Sequence, residues 1–175
     1  MEPIKGNGFI LRAFRMSDKD ALVKYGNNKN ISDNLRDRFP YPYTIEGAEW
    51  FINSVLSDND PVKNFIIEIN EEAVGAISFW PGEDVYRLTA EIGYWLGEPF
   101  WGRGIMTEAI SKVVDHIFTE FNIKKIFAMP FATSIGSMKA LEKAGFKKEA
   151  TITKGVIKNG RILDYHIYSI ENFGD

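Results

Sequence analysis

Residues 95–109 read WLGEPFWGRGIMTEA, and the placement of two glycines in that stretch decides how the rest of the chain is read. Gly102 and Gly104 stand one residue apart, behind an aromatic, β-favouring run and ahead of a long helical pattern. Glycine holds backbone conformations that other residues avoid and lets a ligand approach the main chain closely. A helix start adds unpaired N–H groups and a partial positive charge. Together these features point to an anion site, for a phosphate above all.

The composition limits what such a site can belong to. A chain of 175 residues, 45% hydrophobic and 14% aromatic, has ample material for one packed domain spanning residues 1–175. The net charge of -3 makes no general case for nucleic-acid or anionic-membrane binding, so a phosphate has to be held locally. With no cysteine and only two histidines, disulfides, thiolate zinc sites and a cysteine acyl-enzyme are excluded, and no metal is expected. The opening MEPIKGNGFI has no basic segment before an apolar core, and no run approaches about 18 uninterrupted apolar residues. A soluble, cytoplasmic protein is expected.

Along the chain, GFILRAF (8–14) reads as a first strand, and Ser17 with Asp20 as the cap of a short helix ending near Tyr25. Residues 27–43 lack periodicity and read as a long loop. Thr44 caps a helix whose apolar positions Ile45, Ala48, Phe51, Ile52, Val55 and Leu56 recur at helical spacing. NFIIEI, AVGAISFW and RLTAEIGYWL follow as antiparallel strands, the first two joined by a tight NEE turn. A helix from Ile105 buries Ile110, Val113, Val114, Ile117, Phe118 and Phe121 and leaves His116 on its polar face. KKIFAMPF is a strand, Ser137 to Ala144 a helix closed by Gly145 and Phe146, and Asn159-Gly160 joins EATITKGVI to RILDYHIYSI in a hairpin. The order β-α-α-β-β-β-α-β-α-β-β describes an α+β domain on a mixed sheet.

Gly102, Gly104 and Thr107 nearly satisfy a dinucleotide fingerprint, but the third glycine is missing and the motif follows antiparallel strands in mid-chain. No Walker sequence is present either. A larger constellation is far more specific: EIGYWLGEPFWGRGIMTEA, a helix, IKKIFAMPF and SIGSMKALEKAGFKKEA occur in that order. In this the chain, from about Phe9 to Ile170, resembles the GCN5-related N-acetyltransferase (GNAT) superfamily, in particular the branch of the ribosomal-protein N-terminal acetyltransferases. The resemblance implies the acyl-CoA N-acyltransferase fold, a central, mostly antiparallel mixed sheet flanked by helices, with one splayed parallel pair formed by residues 87–96 and 124–130.

It further implies that acetyl-CoA is the acetyl donor. The family pattern Q/R-x-x-G-x-G/A falls on Trp101, Gly102, Arg103, Gly104, Ile105 and Met106, with Trp101 in place of a polar residue and Met106 in place of a small one. The amides of this loop would hold the pyrophosphate, with help from Thr107 and Arg103. Pantetheine would take backbone partners from Tyr94, Trp95 and Leu96. Ser134 stands where the relatives carry an asparagine that contacts the cofactor. Ser137 keeps their serine, proposed to protonate the leaving thiolate; its other reading is a helix cap.

Acetyl transfer requires a neutral amine, so a base is needed. Glu91, on the central strand, is the best-placed carboxylate, its alternative being a salt-bridged structural group. A carboxylate used by some relatives would fall near Val156, which cannot serve. Tyrosine performs the acid step in other branches, and none in this chain aligns with it. The loop NLRDRFPYPYT (34–44) carries Arg36, Asp37, Tyr41 and Tyr43 as acceptor-binding candidates, against an ordinary ordered loop. His116 reads as solvated surface and His166 as structural. The sequence thus predicts an N-acetyltransferase acting on a primary amine, a protein N-terminus or a small molecule, by direct transfer in a ternary complex. An acyl-CoA-binding regulatory module without turnover is the rival, and a homodimer is left open.

Overall fold

The computed structural model describes residues 2–57 and 62–174. The chain runs β1 (Ile4–Lys5), β2 (Ile10–Arg12), α1 (Lys19–Gly26), α2 (Lys29–Ser32), α3 (Ile45–Ser57), β3 (Asn64–Ile69), β4 (Glu72–Pro81), β5 (Thr89–Leu96), α4 (Ile105–Glu120), β6 (Lys125–Ala128), α5 (Ile135–Lys143), β7 (Lys147–Lys158) and β8 (Arg161–Glu171). The strands form one sheet in the order β1-β2-β3-β4-β5-β6-β8-β7, antiparallel except for β5 beside β6. Two tight turns fix its registers. Asn70 and Glu71 at φ 50° and 66°, and Asn159 and Gly160 at φ 50° and 73°, take the left-handed geometry that two-residue hairpins demand.

Because side chains alternate across a strand, the sheet has two cores. Phe65, Ile77, Phe79, Ile92 and Leu96 pack under α4 and α5, against Ile110, Val113, Ile117 and Leu141. Ile66 and Ala76, with Trp95 at their margin, pack on the other face against Leu22 of α1 and Ala48, Ile52 and Val55 of α3. The molecule is therefore helix, sheet, helix in three layers.

Helix ends follow local chemistry. Thr44 Oγ1 accepts the Gly47 amide at 3.2 Å and opens α3, as its position predicts. Gly145 at φ 93° closes α5, and the Phe146 amide returns to the Leu141 carbonyl at 3.0 Å. At α1 the sequence reading is corrected: Asp18, not Ser17 with Asp20, accepts the Arg15 amide at 2.8 Å. Asp18 is available there because buried Arg12 holds it through Nη1 and Nη2 at 2.8 and 2.7 Å, while Arg12 Nε donates to Glu68. Arg12→Leu leaves a buried carboxylate without its cation. It is expected to cost about 3 kcal/mol, read as a lower urea midpoint at unchanged m-value.

Within residues 27–43, read as continuous loop, α2 forms one turn because Asn28 Oδ1 accepts the Asn30 amide at 2.8 Å. His116 is also not simply solvated. Its ring meets Phe65 and Phe121 edge-on at centroid distances of 5.5 and 5.8 Å, and burial holds the imidazole below its usual range. His166 Nδ1 lies 2.9 Å from Thr151 Oγ1, a structural partner. No helix among the described residues is long and apolar enough to cross a membrane.

Candidate active site

The parallel pair β5 and β6 stays in register for three positions, Thr89 with Lys125, Ala90 with Ile126 and Glu91 with Phe127. Beyond Glu91, β5 runs on to Leu96 paired only with β4, whereas β6 ends at Ala128. A gap opens in the sheet. A cavity of about 460 Å3 occupies it, and its wall includes Glu91 and Trp80 as well as Tyr94 and Ser137.

Strand alternation puts these groups on opposite faces. Glu91, Gly93 and Trp95 point to the α1/α3 side, where Trp80 stands directly across from Glu91. Tyr94, between Ile92 and Leu96 in phase, points to the α4/α5 side, and its hydroxyl lies 2.9 Å from Ser137 Oγ. Burial pushes the Tyr94 phenol well above its ordinary value, and the Ser137 hydrogen bond opposes that push. The Tyr94 phenol is therefore protonated at neutral pH.

The start of α5 corrects one of the two readings of Ser137. The N-cap of α5 is Ser134, so Ser137 sits inside the first turn and is not a cap. Ser134 Oγ donates to Asn34 Oδ1 at 2.9 Å, which ties the 34–44 loop to α5. Tyr94, singled out in the sequence for its backbone, thus brings its side chain to Ser137 as well. The Leu96 carbonyl, another backbone candidate, already accepts the Trp101 indole N–H at 2.7 Å. The Trp95 side chain packs edge-on to Phe39, with ring centroids 5.5 Å apart.

At the glycine loop, Gly102 has φ +74° and Gly104 φ +78°, and an added Cβ would meet nothing within 4 Å at either. Their role is conformational, and the space before them is open. Gly104 is the N-cap of α4 and has no side chain to cap it; Glu108 is the first helical residue whose amide finds a carbonyl, that of Gly104 at 3.1 Å. Among the described residues, nothing accepts from the amides of Ile105, Met106 or Thr107, or bonds the Thr107 hydroxyl. Sixteen residues of aligned helix dipole stand behind these free donors. The Ile105 and Met106 side chains pack on the core, and the Arg103 guanidinium stands 5.6 Å from the Phe100 ring centroid at the rim.

On the other side of the sheet, Arg36 Nη2 donates to Glu91 Oε1, which settles that the carboxylate is paired. Its Oε2 takes no hydrogen bond among the described residues. The remaining loop candidates divide. Asp37 turns away to Lys158 Nζ at 2.8 Å and borders a neighbouring cavity, with Val156, rather than this one. Tyr41 is exposed and lines neither cavity. Tyr43 is a core residue: 5% exposed, stacked 5.0 Å from Phe39, with burial pushing its phenol up to about 12. Of the four, Arg36 and the ring of Tyr43 border the main cavity. Three further lining residues were not named from the sequence: Arg38, which lies in the 34–44 loop, and Trp50 and Trp80, which carried no signal there.

A family model described as "Acetyltransferase (GNAT) domain" matches residues 9–147. The chain belongs to the GNAT acetyltransferase family. It is 34% identical over 178 residues to "Probable N-acetyltransferase YjcK" of Bacillus subtilis, covering 98% of each chain. Among solved structures, this GNAT protein superposes with a TM-score of 0.86 on RimL, titled a ribosomal L7/L12 alpha-N-protein acetyltransferase in complex with coenzyme A. That match has 23% identity and covers 97% of this chain and 98% of that one. A TM-score of 0.83 at 26% identity, over 95% and 94% of the two chains, relates it to the microcin C7 self-immunity acetyltransferase MccE, solved with acetyl-CoA and AMP. The fold class read from the sequence, with its single parallel pair, is the fold of these proteins.

Proposed function

We propose that this GNAT acetyltransferase transfers the acetyl group of acetyl-CoA directly to a primary amine within a ternary complex. The observation that carries the reading is the cavity that crosses the sheet at the β5/β6 gap, with a carboxylate on one face and a hydroxyl pair on the other. The free amides of Ile105 to Thr107, with Gly102 and Gly104 giving access, receive the pyrophosphate, and Arg103 adds positive charge at the rim. The acetyl-CoA in MccE and the coenzyme A in RimL support the same donor here.

The amine approaches from the α3 side as an ammonium and loses a proton to Glu91 Oε2. Arg36 fixes the orientation of that carboxylate. The freed lone pair attacks the thioester carbon, forming the C–N bond, and main-chain N–H near Tyr94 stabilises the oxyanion. Collapse breaks the C–S bond, and the nitrogen releases its remaining extra proton to solvent, leaving the neutral amide, while Glu91 returns the first proton to solvent. The thiolate accepts the hydrogen bond of Tyr94 Oη and takes up its proton, which passes in from Ser137 and solvent.

Both a protein N-terminus, with RimL, a ribosomal L7/L12 alpha-N-protein acetyltransferase, as the precedent, and a small amine are acceptors of this chemistry. The test is free-thiol release from acetyl-CoA across an amine panel, with initial rates at varied concentrations of both substrates. Intersecting reciprocal plots are expected. Acetyl-CoA binding without thiol release for any amine would leave a binding module, and parallel plots with an isolable acetyl-enzyme would overturn direct transfer.

A further inference from the structure

The acceptor side of the cavity has a chemical character of its own. Trp80 lies where its indole can lie down on the sheet only because position 93 is glycine: a Cβ at Gly93 would stand 2.9 Å from Trp80 Cζ3. The Arg38 guanidinium stands over the same ring, 4.9 Å from its centroid. Trp80 is nonetheless 40% exposed, and Trp50 of α3, on the same cavity wall, is 72% exposed. The open indole of Trp50 and the exposed edge of Trp80 form one concave apolar wall suited to a flat partner.

The charges are equally specific. Among the described lining residues, only Arg36, Arg38 and Glu91 are charged. Arg36 and Glu91 neutralise one another. Arg38 has no carboxylate partner among the described residues; the Trp80 ring is its contact. A polyamine would enter a wall with one carboxylate, already paired, and an unpaired cation. Its extra ammonium groups would meet repulsion where a binding site should supply acids.

We propose that the acceptor is a monoamine that also carries an aromatic ring and an anionic group, the ring laid against the open face of Trp50 and the exposed edge of Trp80 and the anion paired with Arg38. Register supplies the spacing, since Trp80 faces Glu91 directly across β4 and β5. The amine thus reaches Glu91 while the ring and anion occupy the adjoining Trp80 and Arg38. The inference rests on the direct-transfer reading above and goes beyond it in naming the acceptor class.

Three probes separate the elements: L-phenylalanine, phenethylamine, which has the same ring and amine but no carboxylate, and spermidine. Thiol release is measured for each at saturating acetyl-CoA, in the wild type and in the exposed-site variant Arg38→Ala. L-Phenylalanine is expected to exceed phenethylamine in kcat/KM by about 10- to 100-fold, the worth of a charge-assisted hydrogen bond, and to exceed spermidine by more. Arg38→Ala is expected to bring the ratio of L-phenylalanine to phenethylamine close to one. Spermidine as the best substrate, or an unchanged ratio in Arg38→Ala, would overturn the acceptor class while leaving acetyl transfer intact. If no amine releases thiol, the transfer reading fails, and calorimetry with coenzyme A present decides the class separately. Binding of L-phenylalanine that weakens at least about 10-fold in Arg38→Ala supports it, and absent binding, or binding no tighter than spermidine's, sinks it.

Discussion

Gly104→Glu is expected to abolish the rise in Tm that acetyl-CoA gives the wild-type protein. A ligand at 100 times its Kd that binds only the native state adds about 2.7 kcal/mol, which for a domain of this size is a shift of roughly 5–10 °C. The variant loses it through two effects. A side chain at φ +78° is strained toward other conformations, which reorients the amides of Ile105 and Met106. And a carboxylate occupies the position where the free amides would otherwise receive pyrophosphate. The same carboxylate satisfies the helix start in the absence of ligand, so the variant folds. Gly102→Asn, a residue that tolerates the left-handed region and adds no charge, is expected to keep most of the shift. A folded Gly104→Glu protein with the wild-type shift would remove the phosphate from this loop.

What the sequence showed, and what it hid, divides by contact distance along the chain. The Asn159-Gly160 hairpin, the Gly145 closure of α5 and the Thr44 cap are local, and each is visible because one residue type answers one backbone demand. The glycine loop is legible for the same reason. The two readings of Ser137, thiolate partner and helix cap, were open in the sequence because Ser134 and Ser137 stand three residues apart and either can cap; the cap position falls to Ser134, whose hydroxyl is held by Asn34, 100 residues away. The pairing of Arg36 with Glu91 spans 55 positions, and that of Tyr94 with Ser137 spans 43. No periodicity reports either. Tyr43 shows the opposite case: an aromatic in an irregular loop looks available, and the stack with Phe39 and the cover of α3 take most of it into the core while it still borders the cavity. Trp80 escaped notice because the placement of its ring depends on Gly93, a neighbour in space on the next strand.

Tyr94→Phe is expected to lower kcat by about 10²- to 10⁴-fold, the usual contribution of a positioned proton donor. The substitution removes one oxygen from a cavity wall, so folding should be nearly unaffected and the KM for acetyl-CoA little changed. Ser137→Ala leaves the phenol in place and removes its 2.9 Å partner, and a loss of about 10-fold is expected, with no cap to lose because Ser134 holds that position. If the two hydroxyls act as one relay, the double variant is no slower than Tyr94→Phe alone. The pH profile supplies a readout that packing cannot imitate. Burial raises the Tyr94 phenol, so the protonated, donating form persists through alkaline pH, and wild-type kcat should hold at about pH 10, where an ordinary tyrosine is half ionised. A fall in kcat that begins below that point, or a Tyr94→Phe enzyme within about threefold of wild type, would take the proton donor away from Tyr94.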